Sequence, residues 1–180
     1  MKNNIVAYTL NEDAYIADDG FQRFMDYCFQ HSDYFSLTRQ SSDEVLYNQR
    51  QDAFLSHLLP YKCDEIKTNR WFRISVSHRT PLTVYLYRTE VGAKKIIQST
   101  FQDLYLYCRV KAPCFWMPED ICFFRDEKLW LGTLSHEEIC TAFVNTHQQS
   151  QEICSFSDWH IDCNSWVMRG MLDLSEFRKS

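Results

Sequence analysis

The sequence predicts a single α+β domain over residues 1–180: an antiparallel sheet built largely from hairpins, with about three helices packed on one face. Three observations lead there. Segments that alternate apolar with polar residues interleave with segments at helical spacing. Adjacent predicted strands are joined by hairpin-length connections rather than by regular crossover helices. The chain is 45% hydrophobic and 16% aromatic with only four Gly and four Pro, which excludes a disordered, fibrous or linker-dominated protein. A chain of this length buries roughly 70% of its unfolded surface, enough for a real core.

Ile5 to Leu10 reads as a first strand. Asp18 or Asp19 then caps a helix whose Phe21, Phe24, Met25, Cys28 and Phe29 share one face, ending near His31. Tyr34 to Thr38 is a short aromatic strand, and Ser42 or Asp43 starts a second helix that stops at Pro60. Phe72 to Ser77 alternates, Thr83 to Arg88 is rich in β-formers, and the two read as a hairpin across Pro81. Thr89 caps a third helix carrying Ala93, Ile96, Ile97, Phe101, Leu104 and Cys108. A second hairpin joins Ile121–Arg125 to Leu129–Ser135 through Asp126-Glu127-Lys128. Ile139 to Val144 fits strand or helix, Asn145 to Gln151 reads as a polar connection, and residues 145–180 form a C-terminal extension packed on the domain.

No signal peptide pattern and no run of about 18 apolar residues is present, so a cytoplasmic protein without membrane contact is expected. Its eight cysteines then read as reduced thiols, several of them in apolar runs such as Ile121-Cys122-Phe123, and no CxxC pair suggests zinc or redox chemistry. The net charge of −5 is unevenly spread. Residues 1–60 hold 4 basic and 9 acidic groups, 61–112 hold 10 and 4, and 113–180 hold 5 and 11. Such blocks either neutralise one another across the folded surface or leave an acidic face for a basic partner.

Fragments of catalytic sets occur, each incomplete. Ser135-His136-Glu137-Glu138 joins nucleophile, base and acid, but HExxH zinc spacing fails because Cys140 stands at the second His position. Asp158-Trp159-His160-Ile161-Asp162-Cys163, if extended, puts Asp158, His160 and Asp162 on one face, with Trp159, Ile161 and Cys163 towards the core. Two carboxylates and an imidazole suit a divalent metal or a tuned general base, whereas an amphipathic strand explains the pattern equally well. Cys154, His160 and Cys163 lack a fourth zinc ligand. Arg70-Trp71-Phe72-Arg73 has the basic and aromatic mixture of a single-strand binder, although Trp and Phe flanked by Arg are more often core, so direct nucleic-acid binding is disfavoured. Four scattered glycines supply no phosphate loop.

Pro118-Glu119-Asp120-Ile121-Cys122-Phe123-Phe124-Arg125, followed by Trp130 and Ser135-His136-Glu137, resembles a motif in small uncharacterised Firmicutes proteins; Phe35-Ser36-Leu37-Thr38 is similar too. Some of that group carry a sporulation stage III label, which is not carried over to this chain. The resemblance covers roughly residues 20–140 and implies no catalytic residue. In size and acidity the chain also resembles phage-encoded inhibitors of CRISPR nucleases, a similarity of type without a shared motif.

With no complete catalytic set, the expected function is a non-enzymatic inhibitor or immunity-type protein with no cofactor and no metal. Its partner would be a protein with a basic surface, such as a nuclease or a toxin, in which carboxylates occupy sites built for phosphates. The expected contact residues are Glu12, Asp13, Asp18, Asp19, Glu119, Asp120, Asp126 and Glu127. The alternative is a metal-dependent or thiol-based enzyme using Asp158, His160 and Asp162, or His136 with a nearby Cys. Nothing in the sequence fixes an oligomeric state.

Overall fold

A computed structural model describes residues 5–39, 45–106, 117–168 and 171–177. The chain runs β1 (Val6–Leu10), α1 (Asp18–Gln30), β2 (Tyr34–Arg39), α2 (Val45–Leu58), β3 (Lys62–Thr68), β4 (Arg70–Trp71), β5 (Ile74–Ser75) and β6 (Leu82–Arg88). It continues with α3 (Val91–Thr100), β7 (Glu119–Arg125), β8 (Lys128–Leu134), β9 (Ile139–Val144), α4 (His147–Cys154), β10 (Trp159–Ile161) and α5 (Ser165–Met168). Eight strands form one sheet in the order β10-β1-β9-β8-β7-β2-β6-β3, antiparallel at every pairing, and β4-β5 form a separate small hairpin. The α+β fold class with a hairpin-built antiparallel sheet is therefore as the sequence predicts.

Strand alternation sends side chains to two cores, because successive residues face opposite sides. Phe35 and Leu37 of β2, Tyr87 of β6, and Ile121 and Phe123 of β7 meet α1 through α4 on one face. Val84 and Leu86 of β6, Cys122 and Phe124 of β7, and Phe143 of β9 meet Trp71 and Phe72 of the small hairpin, Val167 of α5 and Leu172 and Leu174 on the other. The central strands are buried on both sides, which is why Ile121-Cys122-Phe123-Phe124 is apolar without interruption. The C-terminal segment closes the second face with backbone bonds, Leu129 N–H to the Leu172 carbonyl (2.9 Å) and Leu174 N–H to the Glu127 carbonyl (2.8 Å).

Several local expectations need correction. The hairpin between 72–77 and 83–88 does not form: β6 lies between β2 and β3, and Ile74–Ser75 pairs with Arg70–Trp71 instead. β3 escapes the sequence pattern because Ile66 is its one buried side chain, and its charged remainder suits a sheet edge that must not recruit another strand. α3 begins after Glu90, not Thr89, whose hydroxyl donates to the Ser32 carbonyl, and it ends at Thr100, so buried Phe101 and Leu104 are not helical. Asp18 and Asp19 occupy the first turn of α1 behind an Ala17 cap, where carboxylates favour the helix dipole. The polar connection expected at 145–151 contains most of α4, capped by Thr146 Oγ1 accepting from Gln149 N–H at 3.1 Å. Ile139–Val144 is strand. The expected caps at Ser42 or Asp43 and the expected helical Cys108 lie outside the described residues.

Phe72 adopts a left-handed φ of 45° at the β4–β5 turn and lays its ring over Gly132 of β8. A Cβ at 132 would come within 2.9 Å of that ring, so the small hairpin seats on the sheet only because β8 carries no side chain there. Gly132→Ala is expected to cost about 1–3 kcal/mol in urea denaturation through overpacking. Combined with Phe72→Leu, it should cost less than the sum of the two single changes. Strict additivity would show that the ring does not sense position 132.

Candidate functional site

The register of β7 against β2 slips at its start: Ser36 pairs with Cys122, but Thr38 pairs with Glu119, so two residues on β2 span three on β7. Asp120 occupies the bulge with a left-handed φ of 56°. A bulge re-aims side chains that a regular strand would send to opposite faces. Across the sheet, β8 ends in a one-turn 3-10 helix (Ser135–Glu137), and Glu138, also left-handed at φ 52°, turns the chain into β9. Two reciprocal bonds lock these pieces together. Asp120 N–H donates to Ser135 Oγ at 3.0 Å, and Ser135 N–H donates to Asp120 Oδ1 at 2.8 Å.

Together these features gather donor atoms of Glu119, Asp120 and His136 within 4.8 Å of one another. Among the described residues this is the one such cluster of three metal-ligating groups. His136 Nδ1 is 3.8 Å from Glu119 Oε2, and its Nε2 is 4.0 Å from Glu137 Oε1. Asp120 is fully buried, and its Oδ2 has no hydrogen-bond partner. Burial, reinforced by the neighbouring Asp120 charge and opposed by His136, raises the Glu119 pKa from 4.5 to about 7. Burial raises the Asp120 pKa from 3.8 to about 6, against the opposing pull of the Ser135 N–H and of His136. Two carboxyls that resist ionising together suit a shared proton or a bound cation.

The other predicted residues are distributed differently. Asn11 Nδ2 donates to Asp158 Oδ2 at 2.6 Å, and Asn11 Oδ1 hydrogen-bonds with His160 Nδ1. Asp162 faces elsewhere, accepting from Thr9 Oγ1 at 3.1 Å and pairing with Arg73 Nη2 at 3.6 Å. It lines a cavity of about 590 Å³ with Arg70, Arg73 and Glu137, whereas Asp158 and His160 border a depression of about 420 Å³ with Glu12 and Asp13. The proposed Asp158, His160 and Asp162 triad is thus not assembled. Trp159 is buried as expected, but Ile161 and Cys163 are exposed, at and beyond the end of β10, a three-residue edge strand. Cys154 is exposed as well. Ser135 is itself buried, and its Oγ accepts from the Asp120 N–H at 3.0 Å.

Trp71 and Phe72 are core residues, which removes the aromatic platform that single-strand binding needs. Arg73 is half-buried, donating to Thr141 Oγ1 at 3.0 Å, and burial lowers its pKa. Of the expected contact residues, Glu12, Asp13, Asp18 and Asp19 are exposed on the β1–α1 connection and the first turn of α1, and Glu119 is half-buried. Asp120 is buried and cannot meet a partner. Asp126 and Glu127 sit at the β7–β8 turn, at the opposite end of β7 from Glu119.

No family model, no curated protein and no solved structure matches the chain.

By sequence, Glu119 and Asp120 belong among the expected partner contacts and His136 to the alternative enzyme set. Nothing in their spacing shows that they meet, because the left-handed turn at Asp120 and the pairing of β7 with β8 bring them together.

Both carboxyls have folded pKa values above their unfolded ones, so the fold favours their protonated forms. The stability this confers is complete below pH about 4 and is lost as pH rises through about 6 to 7. In thermal melts with a chelator present, Glu119→Gln should match the wild type at pH 4 and melt above it at pH 8. Parallel pH profiles would contradict the assignment.

Proposed function

We propose that the protein is a non-enzymatic interaction protein that binds a basic protein surface through the end of the sheet where β1 finishes and β7 begins. The supporting observation is an uncompensated charge. Among the described residues no ion pair reaches Glu12, Asp13, Asp18 or Asp19, although all four are exposed. Asp158 adds a further exposed carboxylate beside Glu12 and Asp13 at the same depression. The register carries this end of β1 next to the starts of β9 and β10, so the acidic groups come from separate stretches of chain.

Carboxylates arrayed this way suit Lys and Arg that otherwise grip phosphates, so the partner class is a nucleic-acid-handling effector such as a nuclease or a toxin. Opposite charge speeds encounter and penalises acidic competitors. The alternative enzyme reading gains nothing from Asp158, His160 and Asp162, which border two separate hollows. Among the described residues no helix is long and apolar enough to cross a membrane, and the described cysteines are free thiols. A cytoplasmic setting goes with this reading.

The test is affinity capture with the native chain and with a variant carrying Glu12→Gln, Asp13→Asn, Asp18→Asn and Asp19→Asn. A specific partner should be recovered by the native chain at about 0.1 M salt and lost towards 1 M, as the Debye length shrinks from about 10 Å to about 3 Å. The variant should associate about tenfold more slowly or worse. A partner held equally by both proteins at both salt concentrations would refute the proposal.

A further inference from the structure

We propose that Glu119, Asp120 and His136, brought together by the Asp120 bulge and the Ser135–Glu137 turn, form a binding site for one divalent transition-metal ion. Two donors on the same ion, each about 2.1 Å from it, stand no more than about 4.2 Å apart. The His136 Nδ1 to Glu119 Oε2 separation of 3.8 Å already satisfies that limit. The full cluster, spread over at most 4.8 Å, needs only a contraction of a few tenths of an ångström. His136 is the ligand able to supply it, since half of its side chain is exposed and only a short turn carries it.

A second, independent observation concerns Asp120. Its side chain is completely buried, one carboxylate oxygen is held by the Ser135 N–H, and the other has no hydrogen-bond partner. Buried polar atoms in folded proteins are nearly always satisfied, and an orphan oxygen on a carboxyl clustered with another carboxylate and an imidazole asks for a cation. The ring of His136 adds a third point. With Nδ1 turned to the cluster, Nε2 lies 4.0 Å from Glu137 Oε1, beyond hydrogen-bond distance, so a small shift of the exposed ring would give it the outer carboxylate that commonly orients a metal-bound imidazole.

The ligand chemistry narrows the ion. One imidazole and two carboxylates suit Mn²⁺, Fe²⁺ or Zn²⁺, whereas Ca²⁺ and Mg²⁺ take all-oxygen shells. Three protein ligands with an exposed His leave coordination positions open to water, so the site could polarise a bound oxygen or accept a group from a partner. The described exposed thiols, Cys63, Cys154 and Cys163, would compete for a soft ion such as Zn²⁺ but hardly for Mn²⁺. Mn²⁺ is therefore the informative probe.

Metal-free full-length protein would be titrated with MnCl₂ and followed by electron paramagnetic resonance. The expected result is one bound Mn²⁺ per chain, with a nitrogen coupling in the electron spin echo from the His136 ring. His136→Ala should remove the nitrogen coupling and weaken binding by tenfold or more. Asp120→Asn, which keeps an oxygen for the Ser135 N–H, should weaken binding comparably, Glu137→Gln about tenfold, and Asp126→Asn not at all. Because His136 is exposed on a turn, its Ala variant keeps the test decisive even if the Asp120 variant fails to fold. No binding at millimolar Mn²⁺, binding without nitrogen coupling, or equal binding by the His136→Ala variant would each overturn the site.

Discussion

A sheet whose central strands are apolar on both sides must be covered twice, and the rest of the architecture answers to that requirement. Helices α1 to α4 cover one face, with α1 alone contributing Phe21, Phe24, Met25, Cys28 and Phe29. Among the described residues no comparable helix covers the other, and there the chain returns at its C-terminal segment and folds the β4–β5 hairpin down. Trp71 and Phe72 are the main fillers of that second core. Burying one such side chain is worth about 1.5–3 kcal/mol, and truncating one to Ala costs about 3–5 kcal/mol. A pair of two-residue strands is far too short to be stable alone. Their order comes from aromatic burial against Cys122, Phe124 and Gly132, not from their own two-strand ladder.

That double coverage also explains where polar chemistry can survive. In the middle of β7 and β8 a carboxylate would meet apolar groups on either side, which costs several kcal/mol unless it is paired. At the end of the sheet the covers thin out. Asp120 sits at this boundary, fully enclosed yet one residue from half-buried Glu119 and one bond from the Ser135 turn. The left-handed backbone at Asp120 and Glu138 adds local strain of order 1–3 kcal/mol per residue, tolerated because the surrounding ladder over-determines both turns. Two carboxyls whose burial resists ionisation meet a left-handed bulge here, a departure from local preference of the kind found at sites kept for something other than stability.

Legibility in the sequence follows from whether the signal is local. α1 is visible because five core residues recur at helical spacing and its first turn is acidic. The β7–β8 hairpin is visible because Asp126-Glu127 breaks two apolar runs and both residues accept a left-handed φ. β3 is hidden because an edge strand buries one side chain, and periodicity cannot register a single Ile66. The wrong partner for β6 has the same origin: once β3 is overlooked, the nearest β-like segment is residues 72–77. The site was legible only in its parts. Glu119-Asp120 and Ser135-His136-Glu137 both stand out along the chain, and it is the strand pairing between them, fifteen residues apart at the Asp120–Ser135 bonds, that makes them one object.

The charge blocks along the chain resolve in the same way. Lys94 of the basic middle pairs with Asp26 of the acidic start, and Arg73 pairs with Asp162 of the acidic end, so folding neutralises across blocks. An exposed pair such as Lys94–Asp26 is worth about 0–1 kcal/mol, so it tunes the surface rather than holds the fold. What such pairs leave behind matters more. Of the described basic residues of the middle segment, Lys62 and Lys67 lie on β3 and Arg88 on β6, separated by β9, β8, β7 and β2 in the strand order from β1, which Glu12 and Asp13 follow. The five strand spacings from β1 to β6, each of about 4.8 Å, exceed the Debye length at physiological salt. Neutralisation between blocks is therefore local to the Lys94–Asp26 and Arg73–Asp162 pairs, and the cations on β3 and β6 do not screen the exposed carboxylates that follow β1.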